Sequence, residues 1–506
     1  MATYSWLTYA TARQQLANRL AITNSLSTTF WTDTECGLYI KKALRMFNAL
    51  TYTWKQDFVF NSTTLWNSLG LLANSPRLRT LTDTDAYTMI EYHLLEPPTG
   101  GTWTGTSQFT ISDVAQALQR RRDEMLQASN CNQHLLTGIA LTSNTRRTIL
   151  PDNVIDVERV RYQPLLATTT GTAALGDTSI TVVSLTGIAI GQLVTGTGIA
   201  YPTTVTGLGS SSVTLSQAVT GAVSGTLQFF GATTLYRDDT VAQEFYEAPL
   251  YQQNSGTPQT FMLSSEPPLS FDVDVPPNQP GTYEAVVLQS GAAFTPPTAT
   301  LLGIPNDFAW VLEWGALADL LGRETEATDR QRAAYCLRRY QDGLNLLLKT
   351  PWAMLGKVNG VACDMPSIVA MDRYMPEWDA TPSDFGPCIV LGGVDFLAAP
   401  VGSGIGLTVL ANAPVPTLDA DYVQVSRSNW DIVLDMAQSL ACFKQGGDEF
   451  QQALALETRA IQACAAENSR LKSTGSFSDI LIERGQAQDR NQQRYNSKQG
   501  TENSGQ

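Results

Sequence analysis

The chain has 506 residues, 43% of them hydrophobic and only 16% charged, and its 33 Lys and Arg against 47 Asp and Glu leave a formal charge of −14. That length suggests two to four domains with ample apolar content for buried cores, while the charge lies well below the ~25% usual for globular domains. An acidic balance excludes binding of a phosphate backbone as the main task, because that needs clustered cations. An acidic wall can still line a passage through which a polyanion slides.

Residues Met1 to Leu20 lack a basic n-region and an apolar h-region, and no apolar run approaches ~18 residues, so neither a secretory leader nor a membrane span is expected. The seven cysteines (Cys36, Cys131, Cys336, Cys363, Cys388, Cys442 and Cys464) are odd in number, widely spaced and without a CxxC. They read as reduced, mostly buried thiols of a protein folded in a reducing cytoplasm.

Residues 1–164 read as mainly helical. Thr32 and Glu35 form a capping box ahead of the stripe Cys36, Tyr39, Ile40, Ala43, Leu44 and Phe47. A second helix is predicted from about Thr82 to Leu95, and a third begins at the box-like pair Thr110 and Asp113, stapled by Phe109 and Val114, and runs to about Leu126. Between these two lies the turn-rich Pro97-Pro98-Thr99-Gly100-Gly101. Short apolar runs around Ile139, Ile149, Val154, Val157 and Val160 predict two or three strands.

Residues 165–230 are compositionally foreign: Asp177 is their one charged residue, and β-branched segments alternate with Gly. Turn signals about every 8–12 residues predict an inserted small all-β module, Ig-like or otherwise a small sandwich or barrel. Residues 231–300 hold a predicted β-hairpin, with Leu269, Phe271, Val273 and Val275 alternating before the turn Pro276 to Gly281 and a return strand Tyr283 to Leu288.

Residues 301–484 read as helical with long loops. Asn306 or Asp307 is placed to cap a helix carrying Phe308, Val311, Leu312, Gly315 and Ala318. A second helix covers about 327–348, and 351–420 reads as loop-rich chain wrapping over neighbouring surfaces. A last helical pair breaks at Gly446-Gly447. Residues 485–506 are too polar to bury a core and are expected to order only on binding. The fold class expected is therefore α+β, with a helix-bundle-like body, β-hairpin elements and the inserted β-module.

Candidate chemistry is sparse. The chain has only His93 and His134, and it lacks HExxH, GxSxG and a phosphate-binding GxxxxGK[ST] loop. His93 shares a helix with Met89 and Ile90 and reads as a packing residue. Val401 to Gly406 mimics a nucleotide loop, but Pro414 and Pro416 follow instead of a helix. The pairs Asp272/Asp274 and Asp419/Asp421 could serve hydrolysis or bind Ca²⁺, though solvated acids are the default. Trp54, Trp66 and Trp103 could stack on sugars, but core and interface roles are commoner. Arg120, Arg121 and Arg122 form the one notable basic run; the bland reading is a solvated helix face, the other an interface with an acidic neighbour. No catalytic, cofactor or metal residues are assigned.

Four phrases together resemble the long adaptor (neck, or head-to-tail connector) proteins of tailed bacteriophages. They are FWTDTECGLYIKKALRMFNALT from Phe30, EYHLLEPPTGGTWTGTSQFTISDVAQALQRRRDEML from Glu91, IPNDFAWVLEWGALADLL from Ile304 and FKQGGDEF from Phe443. The resemblance covers about residues 1–160 and 235–480. It implies a non-catalytic virion protein, made in the host cytoplasm, that forms a homo-oligomeric ring, typically of twelve copies. Such a ring docks beneath the portal protein, meets tail or nozzle proteins, and passes double-stranded DNA without reading it; no membrane partner is implied. A C-terminal segment often enters the portal in such rings, a role that falls here to the tail after Ile480. The interface residues this suggests are Arg120, Arg121, Arg122, Phe477, Ile480, Arg490, Arg494 and Tyr495. The alternative is a tail, baseplate or fibre-attachment protein whose β-module binds carbohydrate or protein.

Overall fold

A computed structural model describes residues 4–21, 30–62, 65–68, 79–94, 109–129, 131–141, 145–238, 255–264, 269–296, 298–323, 329–350, 353–375, 378, 388–392 and 396–473. Helix starts follow the local capping chemistry. The helices α1 (Tyr9–Arg19), α2 (Asp33–Thr51), α3 (Asp83–His93) and α4 (Ile111–Ser129) begin after Thr8, Thr32, Thr82 and Thr110. The Thr32/Glu35, Thr82/Asp85 and Thr110/Asp113 boxes are all formed, which satisfies orphan N–H groups of the first turns. After a 3₁₀ turn (Asn306–Phe308) come α5 (Ala309–Leu321), α6 (Arg330–Lys349), α7 (Ile368–Tyr374), α8 (Arg427–Gln445) and α9 (Gly447–Ser473). Gly446 and Gly447 have φ of 73° and 55°, a left-handed break between α8 and α9.

The expected cap at Asn306 or Asp307 is not made. Asn306 Oδ1 instead accepts from the backbone N–H groups of Thr80 and Leu81, and Asp307 accepts from Asn48 and Ala413, so both side chains tie distant segments together. The stripes of α1 to α6, α8 and α9 share one apolar core centred on Phe47, Ile90, Leu118, Trp314 and Phe443. Helices α5 and α6 approach through Gly315 and Gly343. A Cβ at 343 would lie 2.5 Å from Val311 Cγ2 and 2.9 Å from Trp310 Cη2. Gly343→Ala should therefore overpack this crossing and lower the unfolding free energy by about 1–3 kcal/mol, seen as a reduced urea midpoint at constant m-value.

The strands are β1 (Lys55–Asn61), β2 (Trp66–Ser68), β3 (Gln133–Ala140), β4 (Arg147–Ile149), β5 (Val154–Ala173), β6 (Ser179–Val182), β7 (Leu193–Thr195), β8 (Thr203–Leu208), β9 (Ser212–Leu215) and β10 (Val223–Phe230). They continue with β11 (Thr233–Arg237), β12 (Thr260–Ser264), β13 (Ser270–Val273), β14 (Gly281–Gln289), β15 (Ala353–Val358), β16 (Val361–Cys363), β17 (Val390–Gly392), β18 (Phe396–Ala398) and β19 (Gly404–Leu410). The 20-residue β5 organises the largest sheet: its first half pairs with β14 and β11, and its second half with β10 and β6.

The module beyond residue 165 is not a sandwich. Strand β10 pairs with both β5 and β7, which closes the circuit β5-β6-β9-β8-β7-β10 into a six-stranded barrel. Its interior is filled by Ile180, Val182, Val194, Val205, Val213, Leu227 and Phe229. So small a barrel needs residues without side chains against the packed Leu227: a Cβ at Gly171 or Gly196 would stand 2.6 or 2.7 Å from its methyl carbons.

Three expectations need correction. The helix-bundle-like body is not found, although mixed α+β holds: the described residues are 38% helix and 30% strand, and a 12-stranded sheet system containing the closed barrel is as much the body as the helices are. The hairpin of residues 269–288 has both strands but not their pairing, because β13 lies between β12 and β4 while β14 lies between β3 and β5. The loop-rich stretch 351–420 supplies most of two small sheets, ordered β1-β19-β15-β16 and β17-β18-β2. In each case the missing information was the distant partner strand, which no local pattern carries.

Candidate functional site

The basic run lies on α4, and its three members have three environments because successive residues point about 100° apart around a helix. Arg122 is fully buried in line with Leu118 and Met125. Its Nη1 and Nη2 donate to the carbonyls of Ala292 (2.8 Å) and Gly291 (3.0 Å), and its guanidinium lies 4.1 Å from the centre of the Phe294 ring. Arg121 holds Asp319 through Nε and Nη2, reaches Glu124 at 2.8 Å and covers the Tyr340 ring. Only Arg120 faces out, its side chain 71% exposed and 3.7 Å from Asp319. The run is thus one solvated cation beside two internal fasteners, not a solvated face. The other suggested interface residues, Phe477, Ile480, Arg490, Arg494 and Tyr495, lie outside the described residues.

Arg122 also shapes a surface groove. By holding the carbonyls at 291 and 292, together with Gln119 Oε1 accepting from Phe294 N (3.2 Å), it lays residues 293–296 alongside the first half of α4. An open groove of about 630 Å³ runs between them. Ile111, Ala115, Phe294 and Pro296 supply apolar lining, and Gln116 and Arg120 supply polar lining. Sequence reasoning missed the 293–296 side of this groove. The available signal was Arg122 itself, a cation standing on the buried stripe with Leu118 and Met125.

No family model matches this chain, and no curated protein does.

The other chemistry-bearing residues are committed within the fold. Asp272 pairs with Arg147 at 3.1 and 3.2 Å, while Asp274 accepts from Gln259 N, so the two acids of β13 and its end have separate partners. Asp419 is held by Arg13 at 2.5 Å, and Asp421 accepts from the N–H groups of Thr417 and Leu418, which keep its carboxyl below the usual range. The glycine-rich stretch at 401–406 leads into β19 and presents no helix N-terminus to a phosphate. Trp54 packs on Phe47 and Trp66 on Trp378; Trp103 is outside the described residues. Burial pushes the thiols of Cys36 and Cys464 up to about 12 and that of Cys442 to about 11, which leaves them protonated and unreactive. Among the described residues no group of three or more His, Cys, Asp and Glu is arranged to hold a metal, and no helix is long and apolar enough to cross a membrane.

His93 is the most unusual of these groups. It is fully buried, stacked on Trp314 with ring centres 5.6 Å apart and flanked by Tyr39 and Phe443. Burial, and then the nearby cations Lys42, Arg332 and Lys444, hold it neutral far below the usual imidazole range. Around it lies a layer of buried ion pairs: Lys42 to Glu313 at 2.5 Å, Lys444 to Glu35 at 2.8 Å, and Arg339 to Glu457. The hydroxyls of Tyr39 and Tyr335 donate to Glu35 (2.5 Å) and Glu457 (2.6 Å). The layer links α2, α3, α5, α6, α8 and α9. Every member is buried, and the pairs tie six helices to one another.

Proposed function

We propose that this chain is a structural virion protein of a tailed bacteriophage, acting without catalysis as one subunit of a ring that joins the portal to the tail and lines the DNA passage. One observation carries the reading. The phrases that resemble the phage adaptors fall in α2, in α3 and α4, in the 3₁₀ turn with α5, and at the α8–α9 break, and all of these contribute to one apolar core. Residues far apart in sequence thus converge on a single apolar core, as a shared scaffold requires. The candidate carboxylates Asp272, Asp274, Asp419 and Asp421, and both His93 and His134, are engaged in structural contacts, which favours a protein working by shape. The −14 balance suits a lumen that repels DNA.

The alternative, a tail, baseplate or fibre-attachment protein, draws on the barrel, whose sequence carries no charge beyond Asp177. Its aromatics do not favour sugar stacking, since Phe229 and Phe230 are buried and Tyr201 is half-buried with its hydroxyl accepting from Gln163. A protein partner suits that surface better.

Negative-stain microscopy of the pure protein mixed with its portal should show a closed ring, typically of twelve copies. Deleting residues 485–506 should abolish portal docking while the far-UV circular dichroism stays unchanged. A lone monomer, missing from purified virions and turning over a small molecule, is the result that would end this reading.

A further inference from the structure

We propose that the groove between α4 and residues 293–296 receives residues 477–483 of a second copy of this chain, linking neighbouring subunits tail to groove; this deepens the ring reading and rests on it. The groove has an apolar floor (Ile111, Ala115, Phe294, Pro296) with one largely exposed cation, Arg120, on its rim. Arg120 is only loosely held by Asp319, whose carboxylate is already gripped by Arg121.

The matching chemistry is in the sequence beyond α9. Residues 477–483 read Phe-Ser-Asp-Ile-Leu-Ile-Glu, with four apolar side chains and the carboxylates of Asp479 and Glu483 but no cation. From 485 onward the chain is Gln, Asn, Ser and Gly with scattered charges, so this is the one apolar run after Ser473. An apolar, doubly acidic segment complements an apolar groove with a basic rim.

Geometry assigns the segment to another copy. Helix α9 runs in the same direction as α2: Phe450 near its start packs on Tyr335 within the His93 layer, and Asn468 near its end donates to Leu50 O at the end of α2. Helix α5 runs the opposite way, with Asp307 just before its start meeting Asn48 and Glu313 meeting Lys42. The groove is fastened at the far end of α5, where Arg121 holds Asp319 and Arg323 holds Asp113 at 2.5 Å. The 13 residues of α5 span about 20 Å, with α9 heading away from that end. Residues 474–477 reach at most about 14 Å, so the chain's own Phe477 falls short.

The test is photo-crosslinking of the full chain with p-benzoylphenylalanine in place of Phe477, using mixed ¹⁵N-labelled and unlabelled copies under conditions where the ring forms. Adducts should map to residues 111–120 or 293–296 and pair labelled with unlabelled chains. Arg120→Glu should cut their yield roughly fivefold or more, and adding Glu483→Lys should restore it. Arg120 is exposed, so the substitution should leave the circular dichroism unchanged. Rings whose adducts fall elsewhere, lie within one chain, or ignore Arg120→Glu would overturn the docking and leave the ring reading standing. A chain that stays monomeric even with portal would overturn the ring reading, and the docking with it.

Discussion

Lys42→Met should lower the unfolding free energy by about 3–5 kcal/mol, the usual cost of leaving a buried charge without its partner. Lys42 Nζ lies 2.5 Å from Glu313 with both side chains less than a tenth exposed, and it also faces the Trp314 ring at 4.6 Å. Methionine fills nearly the same volume, so the loss reports the stranded Glu313 carboxylate more than a cavity. The double variant Lys42→Met with Glu313→Leu should recover most of the loss, because an apolar pair of similar volume removes both desolvation penalties at once. Urea denaturation of the four members of this cycle measures the coupling. A single-variant loss below about 1 kcal/mol would place the pair with solvated ion pairs and sink the argument.

The second large effect is a pH dependence centred on Asp307. The side chain is fully buried where the start of α5 meets α2 and the end of β19, beside a cavity of about 10 Å³ that leaves no room for a hydration shell. Burial raises its carboxyl from 3.8 to about 7, against the opposing effects of the hydrogen bonds from Asn48 and Ala413 N and of the nearby Arg45. The folded state therefore keeps a proton that the unfolded chain gives up near pH 4. The stability associated with Asp307 is fully present below about pH 4, drains away as pH rises toward about 7, and is gone above it. A shift of about three units at about 1.4 kcal/mol each amounts to roughly 4 kcal/mol. Asp307→Asn should flatten the stability profile between pH 4 and 7 and leave the variant more stable than the parent at pH 8. A parental slope that persists unchanged in Asp307→Asn would assign the effect to another group.

How much was legible in advance differs between helices and sheets. The capping pairs at Thr32/Glu35 and Thr110/Asp113 and the stripe through Cys36, Tyr39, Ile40, Ala43, Leu44 and Phe47 are interactions within a few turns, and they reappear in the structure nearly residue for residue. The β-branched, glycine-punctuated stretch after residue 165 was equally legible as strands. Its closure was not, because closure depends on β10 meeting β5 across a separation that runs from Val223 with Ala173 to Phe230 with Leu165. For the same reason β13 and β14 looked like a hairpin and turned out to be partners of other strands.

The candidate site shows the same division. The run of three arginines suggested a solvated face, although Arg122 falls at helical spacing from Leu118 and Met125, and it is buried with them. The carbonyls that make burial of Arg122 tolerable come from Gly291 and Ala292, 169 and 170 positions away in the chain, and they also position the other wall of the groove. The sequence by itself determined most of the long helices and the caps at Thr32 and Thr110, the alternation of the strands, the nearly uncharged character of the inserted module and the acidic balance, because each depends on neighbours within a few residues or on composition alone. Only the tertiary structure decided which strands pair, that the inserted module closes on itself, and which buried charges find partners. Those outcomes come from contacts between segments far apart in the chain, and their energies exist only once the segments have met.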